Sequence, residues 1–113
     1  MDHFKIDKET TKLILGVFNK INLLKKALHE NHHQSKELLE SGQVLNNMMN
    51  KALESPSQTL LESKFGLMIE HVKQLRTYSD AQHNLQNSQN LTQLFNLLLV
   101  DLTSLQDKVE AEL

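Results

Sequence analysis

The chain has no cysteine and no tryptophan, a single proline at Pro56 and three glycines, and its only aromatic side chains are Phe4, Phe18, Phe65, Tyr78 and Phe95. Each scarcity excludes something. Without cysteine there is no disulfide framework and no thiolate metal site, and a cytoplasmic protein is the simplest expectation. With so little glycine and proline there is little chain for turns, so the composition reads as helical almost throughout. A core with few rings must be assembled from Leu, Ile, Val and Met. The longest apolar run, Leu97 to Val100, is far too short to cross a bilayer. The opening residues MDHFKIDKETT contain no apolar leader segment. Twelve basic side chains against 14 acidic ones leave a net charge of −2, which is neither the basic face of a dedicated nucleic-acid binder nor an acidic mimic of one. At 113 residues the expectation is one helical domain spanning 1–113.

What is present is a heptad seam. Ile14, Val17, Ile21, Leu24, Leu28, Asn31, Ser35, Leu38, Gly42, Leu45, Met49 and Ala52 follow one another in alternating steps of three and four. That is the stripe a long helix lays against another helix. Asp7 fits as its N-cap, with Glu9 in the first turn near the positive end of the helix dipole. Nothing forbids the helix until Ser55-Pro56-Ser57-Gln58, so it is expected to run over about 8–53, roughly 70 Å at ~1.5 Å per residue. Gly42 on the seam permits a close approach. A kink at Glu30 to Gln34, where the seam turns polar, is the structural alternative.

Pro56 removes an amide that the first helix needs and favours the start of a new one. Ser55, with Gln58 three residues on, reads as a capping box. The return arm carries two more seams: Leu61, Phe65, Met68, Val72, Leu75, Ser79, and then Leu91, Phe95, Leu98, Leu102, Leu105, Val109. Their offset is not a multiple of seven, so they cannot share one stripe on one undistorted helix. A break is expected between Ser79 and Asn90, within a run rich in Ser, Asn and Gln. Folding at Ser55–Ser57 pairs 38–53 with 61–75, and 14–28 with 85–98. It also brings the lysine-rich first 28 residues onto an acidic C-terminus holding Asp101, Asp107, Glu110 and Glu112. The expected fold is all-α: an elongated, coiled-coil-like antiparallel hairpin of three helices at about 8–53, 57–78 and 88–111. An up-down four-helix bundle with a second break near His32 is the alternative.

Chemistry is sparse. His29 and His33 stand one helical turn apart, with Glu37 continuing the face, as zinc ligands can. They lie off the seam, however, and a solvated face is the stronger reading. Lys12, Lys20, Lys25 and Lys26 read as a solvated strip complementing the acidic C-terminus. No nucleophile elbow, paired acid/base carboxylates, metal motif or phosphate loop can be picked out, so no catalytic, cofactor-binding or metal residues are expected and the protein is read as a non-enzyme. Met48, Met49 and Met68, with Phe65, read as core near the hairpin tip, or else as an adaptable partner site.

The strongest signal is surplus. The seams leave over Leu13, Phe18, Leu23 and Ala27 in the first arm, and Leu94, Leu97 and Leu99 in the last. A two-helix hairpin cannot bury both faces, so a third layer is required: a folded-over segment, a second copy or a partner helix. The expected function is a non-catalytic protein–protein interaction module. It would be a small helical adaptor or secretion-type chaperone that buries its apolar face against a larger protein or itself, with Leu13, Phe18, Leu94, Leu97 and Leu99 as the contact residues. A small DNA-binding regulator is the alternative, and it requires a compact helix-turn-helix.

In size and hairpin architecture the chain resembles the WXG100 proteins of type VII secretion and the small adaptors that accompany LXG toxins. It departs from them at the turn, where Trp-x-Gly is absent and Lys64-Phe65-Gly66 falls inside the second helix. It departs again at Tyr78, which is followed by Gln82 where the family carries an acidic residue. The export chaperones of type III and flagellar secretion are similar in size. These resemblances rest on fold and size and carry over no site residue.

Overall fold

Asp7 starts the first helix in the way its residue type allows. Its carboxylate accepts the Thr10 amide at 2.8 Å and its carbonyl accepts the Thr11 amide at 2.9 Å, satisfying donors that have no partner within the helix. The computed structural model describes residues 7–30, 36–81 and 88–111, and these form four helices: α1 (Lys8–Glu30), α2 (Lys36–Leu53), α3 (Gln58–Ala81) and α4 (Ser88–Ala111).

The single helix expected over 8–53 is two helices, and the up-down bundle is the arrangement observed. The decisive contact is Lys25 Nζ donating to Gln43 Oε1 at 3.2 Å. In one continuous helix those residues would lie about 27 Å apart. Gly42 is buried, and the stem of Lys25 lies against it, leaving no room for a Cβ. Splitting the arm has a physical logic. A 70 Å helix would have needed an equally long partner, whereas two antiparallel helices cover each other's stripes. The principal extents are 48 × 20 × 19 Å. Asn31, Ser35, His32 and His33 lie outside the described residues.

Each helix packs on its two neighbours: α1 on α2 and α4, and α3 on α2 and α4. The diagonal pairs make no backbone contact among the described residues. The heptad positions form the core. Val17, Ile21, Leu24, Leu28, Leu38, Leu45, Met49, Phe65, Val72, Phe95, Leu98, Leu102 and Leu105 are sealed from solvent or nearly so. Each such side chain contributes about 1.5–3 kcal/mol of transfer free energy. Helix by helix, the pairing inferred from folding at Ser55–Ser57 holds, since α1 packs on α4 and α2 on α3, but the register of the first pair is shifted: Gly16 and Lys20 meet Asp101, beyond the 85–98 expected opposite 14–28.

The turn after α2 differs in one detail. Ser57, not Ser55, caps α3: its hydroxyl accepts the Leu60 amide at 3.2 Å and its carbonyl accepts the Leu61 amide at 3.0 Å. Ser55 closes the last turn of α2 through its amide to the Ala52 carbonyl at 3.0 Å. Its hydroxyl is buried with no hydrogen-bond partner among the described residues.

Candidate protein-binding surface

Three successive stripes run along α3, each in steps of three and four. The middle one, Leu61, Phe65, Met68, Val72, Leu75 and Ser79, is buried. Beside it lie Glu62, Gly66, Ile69, Lys73, Arg76 and Asp80, which face α4. There Gln106 Nε2 donates to Glu62 Oε1 at 3.1 Å, Arg76 donates to Asn96 at 2.8 Å, and Thr92 donates to Asp80 at 2.6 Å. The α3–α4 seam is therefore closed from end to end by hydrogen bonds.

The third stripe is Leu60, Lys64, Leu67, His71, Gln74 and Tyr78, on the α2 side. It alternates apolar and polar side chains, and its apolar members stand open. Leu67 is 66% exposed, the highest value among the exposed large hydrophobic side chains, and Leu60 and Tyr78 are also exposed. Across the seam, α2 presents exposed Val44 and half-buried Met48 one turn apart. Between the banks is a recess of about 190 Å³ lined by Met48, Lys51, Lys64, Leu67 and Met68. Lys64 Nζ donates to the Lys51 carbonyl at 3.4 Å. That places a cation at the negative end of α2, on a carbonyl that also accepts the Glu54 amide at 3.2 Å.

The α1–α4 seam is closed by charge. Lys20 and Asp101 pair at 2.6 Å with both side chains mostly shielded. At the bundle end, Lys108 of α4 bridges Glu9 at 2.8 Å and Asp7 at 3.4 Å. Hydrogen bonds from Thr10, its backbone amide first, hold the Asp7 carboxyl below the ordinary carboxylate value, and Lys108 adds to this. The hydrogen bond to Glu9 raises the Lys108 ammonium above the usual lysine value. The expected pairing of the lysine-rich start with the acidic end is thus real, and it uses Lys20. Lys25 is engaged by Gln43, and Lys12 and Lys26 are exposed.

The surplus residues are placed differently from one another. Leu99 is buried, at 9% exposure, and is no surface residue. Leu13, Phe18, Ala27 and Leu94 are half-buried and pack against the core. The reason is that both arms fold back on themselves: each helix lies antiparallel to the next, so α2 and α4 supply the third layer that a hairpin lacked. Leu97 alone of the five expected contact residues stays exposed, at 44%. It stands one turn from Asp101, as exposed Leu23 stands one turn from Lys20 on α1. Of the methionines, Met49 and Met68 are core with Phe65, while Met48 opens onto the recess. Val44, Leu60 and Leu67 were not singled out by the sequence. Their signal was there, in a second heptad stripe directly beside the first.

His29 is exposed, and His33 lies outside the described residues. Among the described residues no group of three His, Cys, Asp or Glu side chains could hold a metal ion, and no helix is long and apolar enough to cross a membrane. The polar contacts between α3 and α4 extend over most of their length, so the two lie side by side instead of crossing steeply as a helix-turn-helix does. Comparison with protein-family models, curated proteins and solved structures finds no match for this chain.

Proposed function

We propose that this bundle is a non-catalytic protein–protein interaction module, an adaptor or secretion-type chaperone that buries an exposed apolar helix face against another protein or a second copy. The observation that carries the reading is the α2–α3 face. Three of its large side chains, Val44, Leu60 and Leu67, stand in solvent, and Leu67 lines a recess with Met48 and Met68, while Lys20, Arg76 and Gln106 close the α1–α4 and α3–α4 seams. Scattered single leucines are ordinary on a protein surface, but a clustered stripe with a recess marks an interaction site. Docking would complete the groove with an added helix. Leu97 and Leu23, exposed near the Lys20–Asp101 pair, offer a smaller second site.

The test is the mass of the protein isolated from the cells that make it, under conditions that preserve complexes. The wild type is expected in a complex larger than the monomer. Leu67→Asp is expected as a bare monomer of unchanged helicity, with Leu97→Asp affected less. A wild type that isolates as a bare, stable monomer contradicts the reading.

A further inference from the structure

Resting on that reading, we infer that the α2–α3 groove takes an amphipathic helix whose apolar stripe is flanked by carboxylates. Size comes first. A recess of about 190 Å³ is smaller than the roughly 300–1,000 Å³ of small-molecule sites, and suits one large apolar side chain. Its walls are chosen for such a guest: Met48, Met68 and Leu67 line it, and thioether side chains adapt to irregular shapes. The length of the groove specifies a helix. Val44 and Met48 on one bank, and Leu60 and Leu67 on the other, repeat at helical spacing between two antiparallel helices. A third helix fills such a groove with anchors at i, i+3 or i+4, and i+7.

Charge then selects among helices. Lys51 and Lys64 stand on opposite banks of the recess. Among the described residues neither has a carboxylate partner, and Lys64 donates to a backbone carbonyl. A guest with glutamates beside its stripe would meet both ammonium groups. A second copy docked through the same face about a two-fold axis would instead set lysines against lysines. The occupant is therefore an acidic amphipathic helix of another protein, or of a partner segment with that chemistry.

The probes are two fluorescein-labelled peptides of about 18 residues, long enough to hold helix. Both carry leucines at alternating steps of three and four. One is flanked by glutamates and the other by lysines. Fluorescence anisotropy with the full chain at low salt is expected to show the glutamate peptide binding at least about tenfold more tightly, with the preference shrinking as salt is added. Amide resonances of Met48, Lys51, Lys64 and Leu67 should shift. The double variant K51E/K64E is expected to reverse the preference, and Leu67→Asp to abolish binding while circular dichroism stays unchanged. Equal binding of the two peptides overturns the acidic specificity but leaves a protein-binding groove. Shifts confined to Leu23 and Leu97 overturn the choice of groove. Self-association removed by Leu67→Asp assigns the face to a second copy and overturns the proposal. Failure of both peptides, together with a bare monomer from native cells, overturns the proposal and the protein-binding reading alike.

Discussion

α3 takes part in two antiparallel seams, and they are finished in opposite ways. Toward α4, the flanking positions hold Ile69 and Leu99 in the interior, and the rim is sealed by Glu62, Arg76 and Asp80 with their partners Gln106, Asn96 and Thr92. Gln106 Nε2 lies 2.9 Å from where a Cβ on Gly66 would stand, so the glycine lets the side chain of α4 lie close. Toward α2, the equivalent flank holds Leu60 and Leu67 in solvent, and a hydrogen bond from Lys64 crosses to the end of α2. Both flanks lie one residue from the same buried stripe, so their chemistry is not a consequence of depth. One flank is complete within the bundle. The other leaves Leu60 and Leu67 in solvent.

Four substitutions break or sharpen that contrast. Phe65→Ala empties the core beneath both seams and is expected to cost about 3–5 kcal/mol by denaturant unfolding. A loss below about 1 kcal/mol would mean that the two seams do not share a common core. Gln106→Ala unseals the α3–α4 rim by removing a partly buried donor, and about 1 kcal/mol should be lost. Its counterpart on the open flank, Leu67→Gln, should leave monomer stability within about 0.5 kcal/mol of the wild type. Equal losses at 106 and 67 would erase the distinction. Ser55→Ala, at the turn joining the open pair, removes a buried hydroxyl without a partner. A gain of about 1 kcal/mol is expected in thermal unfolding, and a loss would show that the hydroxyl is satisfied in solution.

The polar seams should also answer to pH, and the apolar one should not. The folded Asp7 carboxyl lies below its ordinary value of 3.8. Its contribution is therefore present above that value and is lost as acid drives pH down through the lowered folded value. Lys108 is raised above 10.5, so its contribution is present below that value and is lost as pH rises through the folded one. Asp7→Asn should flatten the acid limb of the stability profile and Lys108→Met the alkaline limb. Leu67→Gln should move neither.

Much of the fold could be read from residue spacing. The three seams name the core almost position by position, because a buried stripe on a helix permits little else, and Asp7 caps as its type prefers. The mismatch in phase between Leu61–Ser79 and Leu91–Val109 located the break between α3 and α4. The break after Glu30 stood only as the alternative. The steps from Leu28 to Leu38 pass through Asn31 and Ser35 without losing phase, and the stretch has neither glycine nor proline, so polarity was its sole mark. Preferring the unbroken helix displaced the reading of the surface. With two helices Leu99 had to be surplus, whereas with four it is core. The open flank was obscured for a related reason. Leu60, Leu67 and Tyr78 form a stripe like any other, and whether a stripe is covered depends on which helix stands beside it.

The most direct test of the account compares the two flanks of α3 in the cell. A photo-reactive amino acid placed at position 67, on the open flank, and at position 76, on the sealed one, would be irradiated in cells that make the protein. The account predicts a cross-linked adduct to another protein chain from position 67 and little or none from position 76. Adducts of equal yield from both positions, or none from position 67, would contradict it.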